Sequence, residues 1–257
     1  MADDPTYVYA AGEGDPPELP GGLTGVADRP LRVIEAHGMW AAVSTVPSTD
    51  FTQDALQERL EDLAWLATTA RAHHDVVDEL GRWTTPAPMA LATVYLDDDR
   101  VRAMLDERGT ELAGIVRRFR GHTEWGVKAY VAPQATREPE PAGRAASGAD
   151  YLRRRRAARD RATDADSVAH DAAERLHEAA ATHAADTRRH RLHAPALTGR
   201  SDRMVLNGAY LVPAGDEDRW RAAVDDGGDG GLTVEITGPW VPYSFVAVPA
   251  QPAEEGR

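Results

Sequence analysis

Residues 121–131 read GHTEWGVKAYV, and how this stretch is read decides how the chain divides. Thr123, Trp125, Val127, Ala129 and Val131 alternate with His122, Glu124, Gly126, Lys128 and Tyr130, the period-two pattern of a strand with one apolar and one more polar face. The stretch also holds Lys128, the only lysine among 29 basic residues. A compact ammonium and a planar guanidinium are not interchangeable where geometry matters, so this exception marks a position to follow. Glu124 and Lys128 share a face but lie roughly 13 Å apart along it, too far for a direct pair. A half-solvated strand is the first reading of the pattern, and a docking surface is the second.

Upstream, Thr6 to Ala11, Leu31 to Ala36 and Met39 to Val46 are short β-type runs rich in Val, Ile and Tyr. His37-Gly38 between the last two predicts a tight hairpin turn. From Thr52 to Leu80 the residues Leu56, Leu60, Leu63, Leu66 and Ala70, then Val76, Val77 and Leu80, keep a helical rhythm that Gly81 is expected to stop. Asp50 or Thr52 can cap its start. Pro86 to Leu96 reads as extended. A further helix follows from Asp97, with acids at its start and arginines at its end, as the helix dipole prefers.

Downstream, residues 132–148 form a Pro/Ala-rich linker. Ala149 to about Leu192 lacks Pro and Gly and is dense in Ala and Arg, which predicts one long helix or two in succession with a shallow apolar face. The remainder is β-rich: Arg203 to Val212, a short helix from Asp216 to Val224, a Gly-rich turn at DDGGDGG, Leu232 to Thr237, the segment GPWVPY, and a last strand from Ser244 to Val248. Gly238-Pro239 and Val241-Pro242 confine the backbone there, so Trp240, Tyr243 and Phe245 are expected to pin the last two strands together. Strands and helices intermix in both halves, so the fold class is α+β.

Composition limits the chemistry. At 257 residues the chain suits about two domains. A formal charge of −13 argues against a general nucleic-acid or anionic-membrane binder, because both would repel this surface. The absence of cysteine excludes disulfides, thiolate metal sites and thiol nucleophiles. No basic-then-apolar leader is visible and no stretch approaches the roughly 20 apolar residues of a membrane helix, which points to a soluble, cytoplasmic protein.

Candidate catalytic patterns are weak. His170, Glu174 and His177 fall on one helical face and include a Glu-x-x-His pair of the type found in di-iron bundles. A second such pair is not apparent, and His177 and His183 are six apart where a zinc protease needs four. Arg153 to Arg156 lacks interleaved aromatics and reads as an exposed helix face. DDGGDGG precedes a strand where a phosphate loop precedes a helix. No Gly-x-Ser-x-Gly elbow occurs. No cofactor and no catalytic residue are expected, and a metal-dependent enzyme built on His170, Glu174 and His177 is the alternative.

Several segments together resemble one family, the gas vesicle accessory proteins F and L (GvpF/GvpL). They are YVYAAG, LRVIEAHGMWAAVSTV, DLAWLATTARAHHDVVDEL, PAPMALATVYL, RGHTEWGVKAYV, DYLRRRR, MVLNGAYLVP and LTVEITGPWVPYSFV, in the family's order along nearly the whole chain. The resemblance implies two α+β domains, here residues 1–120 and 121–257, the second a modified ferredoxin-like fold with a long helix. It also implies a non-enzymatic role in building gas vesicles, through contact with the small hydrophobic major shell protein (GvpA) and other accessory proteins. Glu124, Trp125 and Lys128, with Trp240, Tyr243 and Phe245, lie in the most specific motifs and are the expected partner-binding residues. Two departures stand out: Ala90-Leu91-Ala92 replaces an Arg-Phe-Gly run, and Val241 stands where Pro is common.

Overall fold

β1 (Thr6–Glu13) is buried on both faces up to its last residue, which its unbroken apolar sequence TYVYAAG requires. The computed structural model describes residues 4–131, 148–194, 200–228 and 231–246. Its first compact unit comprises Met1–Thr123 together with Trp240–Arg257. There β1 is central in a sheet of order β2-β3-β1-β4, with β2 at Arg32–Ala36, β3 at Met39–Thr45 and β4 at Ala87–Pro88; β5 (Val94–Tyr95) also pairs with β1. The pairings are antiparallel, and β2 and β3 close on Ala36↔Met39 across His37 and Gly38. Both turn residues have positive φ, 48° and 76°, as a primed two-residue hairpin turn demands.

A register shift between Val8 and Ala10 interrupts the β1–β3 ladder. Such a bulge resets which side a strand presents. Tyr7, Tyr9 and Ala10 accordingly join one core with Trp40, Phe51, Val76, Val77 and Leu80, while Val8 and Ala11 join another with Met104, Leu105, Leu112 and Val116. The first core is closed by α3 (Leu63–Trp83) and the second by α4 (Asp98–Phe119).

The helix expected from Thr52 to Leu80 is broken. α1 (Ser48–Phe51) and α2 (Gln53–Arg59) precede α3, because the Asp62 side chain accepts from the N–H groups of Ala64 and Trp65 and so starts a new helix. Thr52 caps α2. Gly81 does not stop α3, which runs on to Trp83. The extended run from Pro86 to Leu96 contributes only the two short strands β4 and β5.

The second unit is Glu124–Pro239. Its elements are β6 (His122–Val131, which begins in the first unit), α5 (Gly148–Thr182), β7 (Asp186–Arg189), β8 (Arg203–Pro213), α6 (Glu217–Gly227) and β9 (Thr233–Trp240). The elements follow one another as β-α-β-β-α-β, and the sheet order is β7-β8-β6-β9, a mixed α+β arrangement. Trp125, Val127 and Ala129 of β6 meet Leu206, Tyr210 and Val212 of β8, covered by Leu176 of α5 and Trp220 and Val224 of α6.

Two expectations are corrected. The long helix ends at Thr182 rather than near Leu192, because residues 186–189 pair antiparallel with β8. The break from helix to strand at residues 183–185 carries no Gly or Pro to signal it. Residues 244–246 form no strand, and the rest of the expected last strand lies outside the described residues. The tail from Trp240 groups with the first unit. The linker at 132–148 lies outside the described residues except for Gly148, which opens α5.

Candidate functional site

In the first unit, the segment after β9 packs on α3. The Trp240 ring meets His74 edge-on with centroids 5.2 Å apart, and Tyr243 lies 6.0 Å from His73 and 6.3 Å from His74. A Cβ on Gly81 would stand 2.6 Å from Val241 Cγ2, so the glycine admits the tail. Phe245 is fully buried.

Beneath the tail lies a polar network inside the core. The Tyr7 hydroxyl accepts from the Ala92 N–H and lies 3.0 Å from His73 Nδ1. Tyr9 shares a 2.6 Å hydrogen bond with Ser44 and accepts from the Val26 N–H. Burial pushes His73 down to about 4, the Met89 backbone opposing and His74 adding to the shift. Burial pushes the hydroxyls of Tyr7 and Tyr9 up. The network is neutral at ordinary pH and holds structure rather than charge.

In the second unit, Trp125 is only 3% exposed. Its ring lies 5.7 Å from Trp220, and the Arg221 guanidinium sits 4.3 Å over it. Trp220 donates from Nε1 to the Ala180 carbonyl. The opposite face of β6 is less open than its polar residues suggest. Glu124 is buried, and Tyr130 is buried under Arg200, whose guanidinium lies 4.2 Å from the ring centroid and also pairs with Glu235 and Asp202. Lys128 is half-buried on this face and makes no ion pair among the described residues.

The six expected partner-binding residues therefore separate. Glu124, Trp125 and Phe245 are buried in packing, Lys128 and Tyr243 are half-buried, and Trp240 is 38% exposed. Trp240, Tyr243 and Phe245 belong to the first unit, and Glu124, Trp125 and Lys128 to the second. Sequence reasoning missed the arginines that cap the aromatics, Arg200 and Arg221, since nothing local ties a distant arginine to a ring. It also placed Leu60 and Leu63 in one continuous helical rhythm; the helix breaks at Asp62, and both are exposed.

The metal alternative loses its ligands to other partners. Both Glu174 oxygens accept from Arg189, at 2.7 and 2.5 Å, which lowers the carboxyl below its usual range. His177 Nδ1 lies 2.8 Å from the Tyr210 hydroxyl. Among the described residues no group of three or more His, Asp or Glu could hold a metal ion. No described helix is long and apolar enough to cross a membrane.

Comparison with known proteins agrees on one relationship. The family described as "Gas vesicle synthesis protein GvpL/GvpF" matches residues 5–247. Gas vesicle protein L of Streptomyces sp. (strain CB03234) is 40% identical over 254 residues, 97% of this chain and 95% of that protein. Gas vesicle protein F of the same strain is 28% identical over 94% of this chain and 99% of its own. Among solved structures, GvpF from Anabaena sp. PCC7120 superposes with a TM-score of 0.65 at 14% identity, covering 96% of this chain and 98% of that one. GvpF from Microcystis aeruginosa gives 0.57 at 16%, covering 94% and 98%. At these identities the two structures speak for the fold alone.

Proposed function

Because the chain belongs to the gas vesicle synthesis protein GvpL/GvpF family, we propose that it is a non-enzymatic accessory protein of gas vesicle assembly that binds the hydrophobic major shell protein (GvpA) and other accessory proteins. The observation that carries this reading is the family match along residues 5–247. A very apolar shell subunit has to be kept from aggregating before it joins a growing wall, and an acidic partner with exposed apolar side chains meets that need. Trp240 offers such a side chain in the first unit, with Tyr243 partly accessible beside it. Lys128 is the accessible member of the β6 motif. Glu124, Trp125 and Phe245 act behind these contacts by fixing the strand and the tail.

Capture of tagged shell protein by the full chain, paired with electron microscopy of cells lacking its gene, tests the reading. Trp240→Ala is expected to reduce capture while the melting temperature falls only modestly, since the ring is partly solvated. Full capture by the double variant Trp240→Ala/Lys128→Ala would overturn the placement of the surface. Normal vesicles in the deletion strain would overturn the function.

A further inference from the structure

α3 carries a stripe of apolar and small residues that the rest of the first unit covers over only part of its length. Leu63, Ala67, Ala70, His74 and Gly81 share one face of the helix. The tail covers the later part, with Trp240 against His74 and Val241 beside Gly81. The earlier part is open: Leu63 is 78% exposed, Ala67 is exposed and Ala70 is half-buried. Leu60, three residues before Leu63, is 45% exposed. From Leu63 to His74 the stripe runs roughly 16 Å. Packing does not call for the two leucines, because the core side of α2 and α3 is filled by Leu56, Trp65, Val76, Val77 and Leu80.

The charge along the open part is mostly negative. Asp54, Glu58, Glu61 and Asp75 are exposed and make no ion pair among the described residues. Arg59 is held by Asp50, and Arg82 by Asp78 and Glu79; Arg71, bonded to Thr68, opposes the acids from the side of the helix. Residues 1–123 as a whole carry 21 Asp and Glu against 11 Arg, a formal charge of −10. Such a field repels nucleic acid, an anionic lipid surface and a second copy of the same unit, and it attracts a cationic partner. The alanines let a second helix lie close along the stripe. Its arginine or lysine stems then pass over the leucines while their charged heads reach the acids.

On the reading that this chain works by binding other proteins, we propose that the open stripe from Leu60 to Ala70 is the docking site for a basic amphipathic helix of a partner protein. The partner's apolar face lies on Leu60, Leu63 and Ala67, and its cations meet Asp54, Glu58 and Glu61. The tail already shows the mode, since it lays apolar side chains on this same face of α3. The partner helix continues that packing towards the start of α3, and Trp240 bounds the open stretch at its other end.

A fluorescently labelled helical peptide of Leu, Ala and Arg, with leucine along one face, is the probe; titration with the full chain is followed by anisotropy, beside a counterpart peptide with Glu in place of Arg. The Arg peptide is expected to bind at about 50 mM salt and on the order of tenfold more weakly at about 500 mM, where screening shortens the reach of exposed charges. The Glu peptide is expected to bind more weakly than the Arg peptide at low salt. Leu60→Ser/Leu63→Ser is expected to weaken binding of the Arg peptide about tenfold without changing charge. Glu58→Arg/Glu61→Arg is expected to reverse the preference between the two peptides, with circular dichroism showing both variants folded. Leu96→Ser, at a leucine 72% exposed after β5, is expected to leave binding unchanged. Equal binding of the two peptides, unchanged binding in Leu60→Ser/Leu63→Ser, or an equal loss in Leu96→Ser would each overturn the site. Shell-protein capture measured beside the titrations keeps the two readings apart: failed capture by the wild type overturns the functional reading, and a failed titration with normal capture overturns only this site.

Discussion

The guanidinium of Arg118, near the end of α4, lies 6.0 Å from the ring centroid of Phe245, and Phe245 is fully buried. A residue from the end of the described chain thus completes packing against the first unit. Phe245→Ala is expected to cost about 3–5 kcal/mol, whereas Arg118→Ala, which leaves the ring in place, is expected to cost about 1 kcal/mol or less. Urea denaturation of the two variants checks the ratio; equal small losses would show that the tail does not seal the unit.

Gly81 offers a test with an unusual sign. Replacing a helical glycine by alanine ordinarily stabilises by roughly 0.5–1 kcal/mol. Here the new Cβ would stand 2.6 Å from Val241 Cγ2, and a β-branched side chain has little rotamer freedom to retreat. Gly81→Ala is expected to destabilise, and Gly81→Ala/Val241→Ala to be more stable than the sum of the two single changes. Additive melting shifts in that double-mutant cycle would separate the two residues.

His73 predicts a pH window. Burial holds its folded value near 4 against an ordinary 6.5. Above 6.5 the ring is neutral in both the folded and the unfolded chain and contributes no pH dependence. As pH falls from 6.5 towards 4 the unfolded ring takes up a proton that the folded ring refuses, so stability falls, by about 3 kcal/mol over the window. Urea midpoints measured across this range for the wild type and His73→Gln isolate the contribution from that of the carboxylates. The variant is expected to be weaker at pH 8, through loss of the Tyr7 bond, but flatter below 6.5.

Lys128, half-buried and without an ion pair among the described residues, is expected to tolerate reversal in the fold but not in binding. Lys128→Glu should shift stability by about 1 kcal/mol or less while lowering shell-protein capture. Lys128→Arg should keep capture if charge alone is read, and lose it if the compact ammonium is read. Melting curves beside capture assays distinguish these, and unchanged capture in Lys128→Glu removes Lys128 from the contact surface.

The strands were legible because their signals are local. His37-Gly38 sits between two β-type runs, and the alternation at 122–131 fixes β6 nearly residue for residue. The helix starts were legible less well. Asp62 lies inside an apolar rhythm that looks continuous, and only its capping bonds show that the phase resets and strands Leu60 and Leu63 in solvent. β7 was invisible because DTRR owes its conformation to pairing with residues 208–211 of β8, far along the chain. Of the candidate site, the motifs at 124–128 and 240–245 were found, but their burial was not. An alternating pattern says which residues share a face and is silent on what Arg200 or Arg221 brings to cover it.

The return of Trp240 to the first unit carries a consequence for biosynthesis. The ribosome makes residues 1–123 before the second unit, yet the first unit lacks Trp240, Val241, Tyr243 and Phe245 until the whole second unit has been translated. The inner unit, contiguous from Glu124 to Pro239, has all its pieces earlier. Vectorial synthesis therefore leaves the face of α3 around His74 and Gly81 bare while the second unit is being made, and the unit begun earlier is finished later.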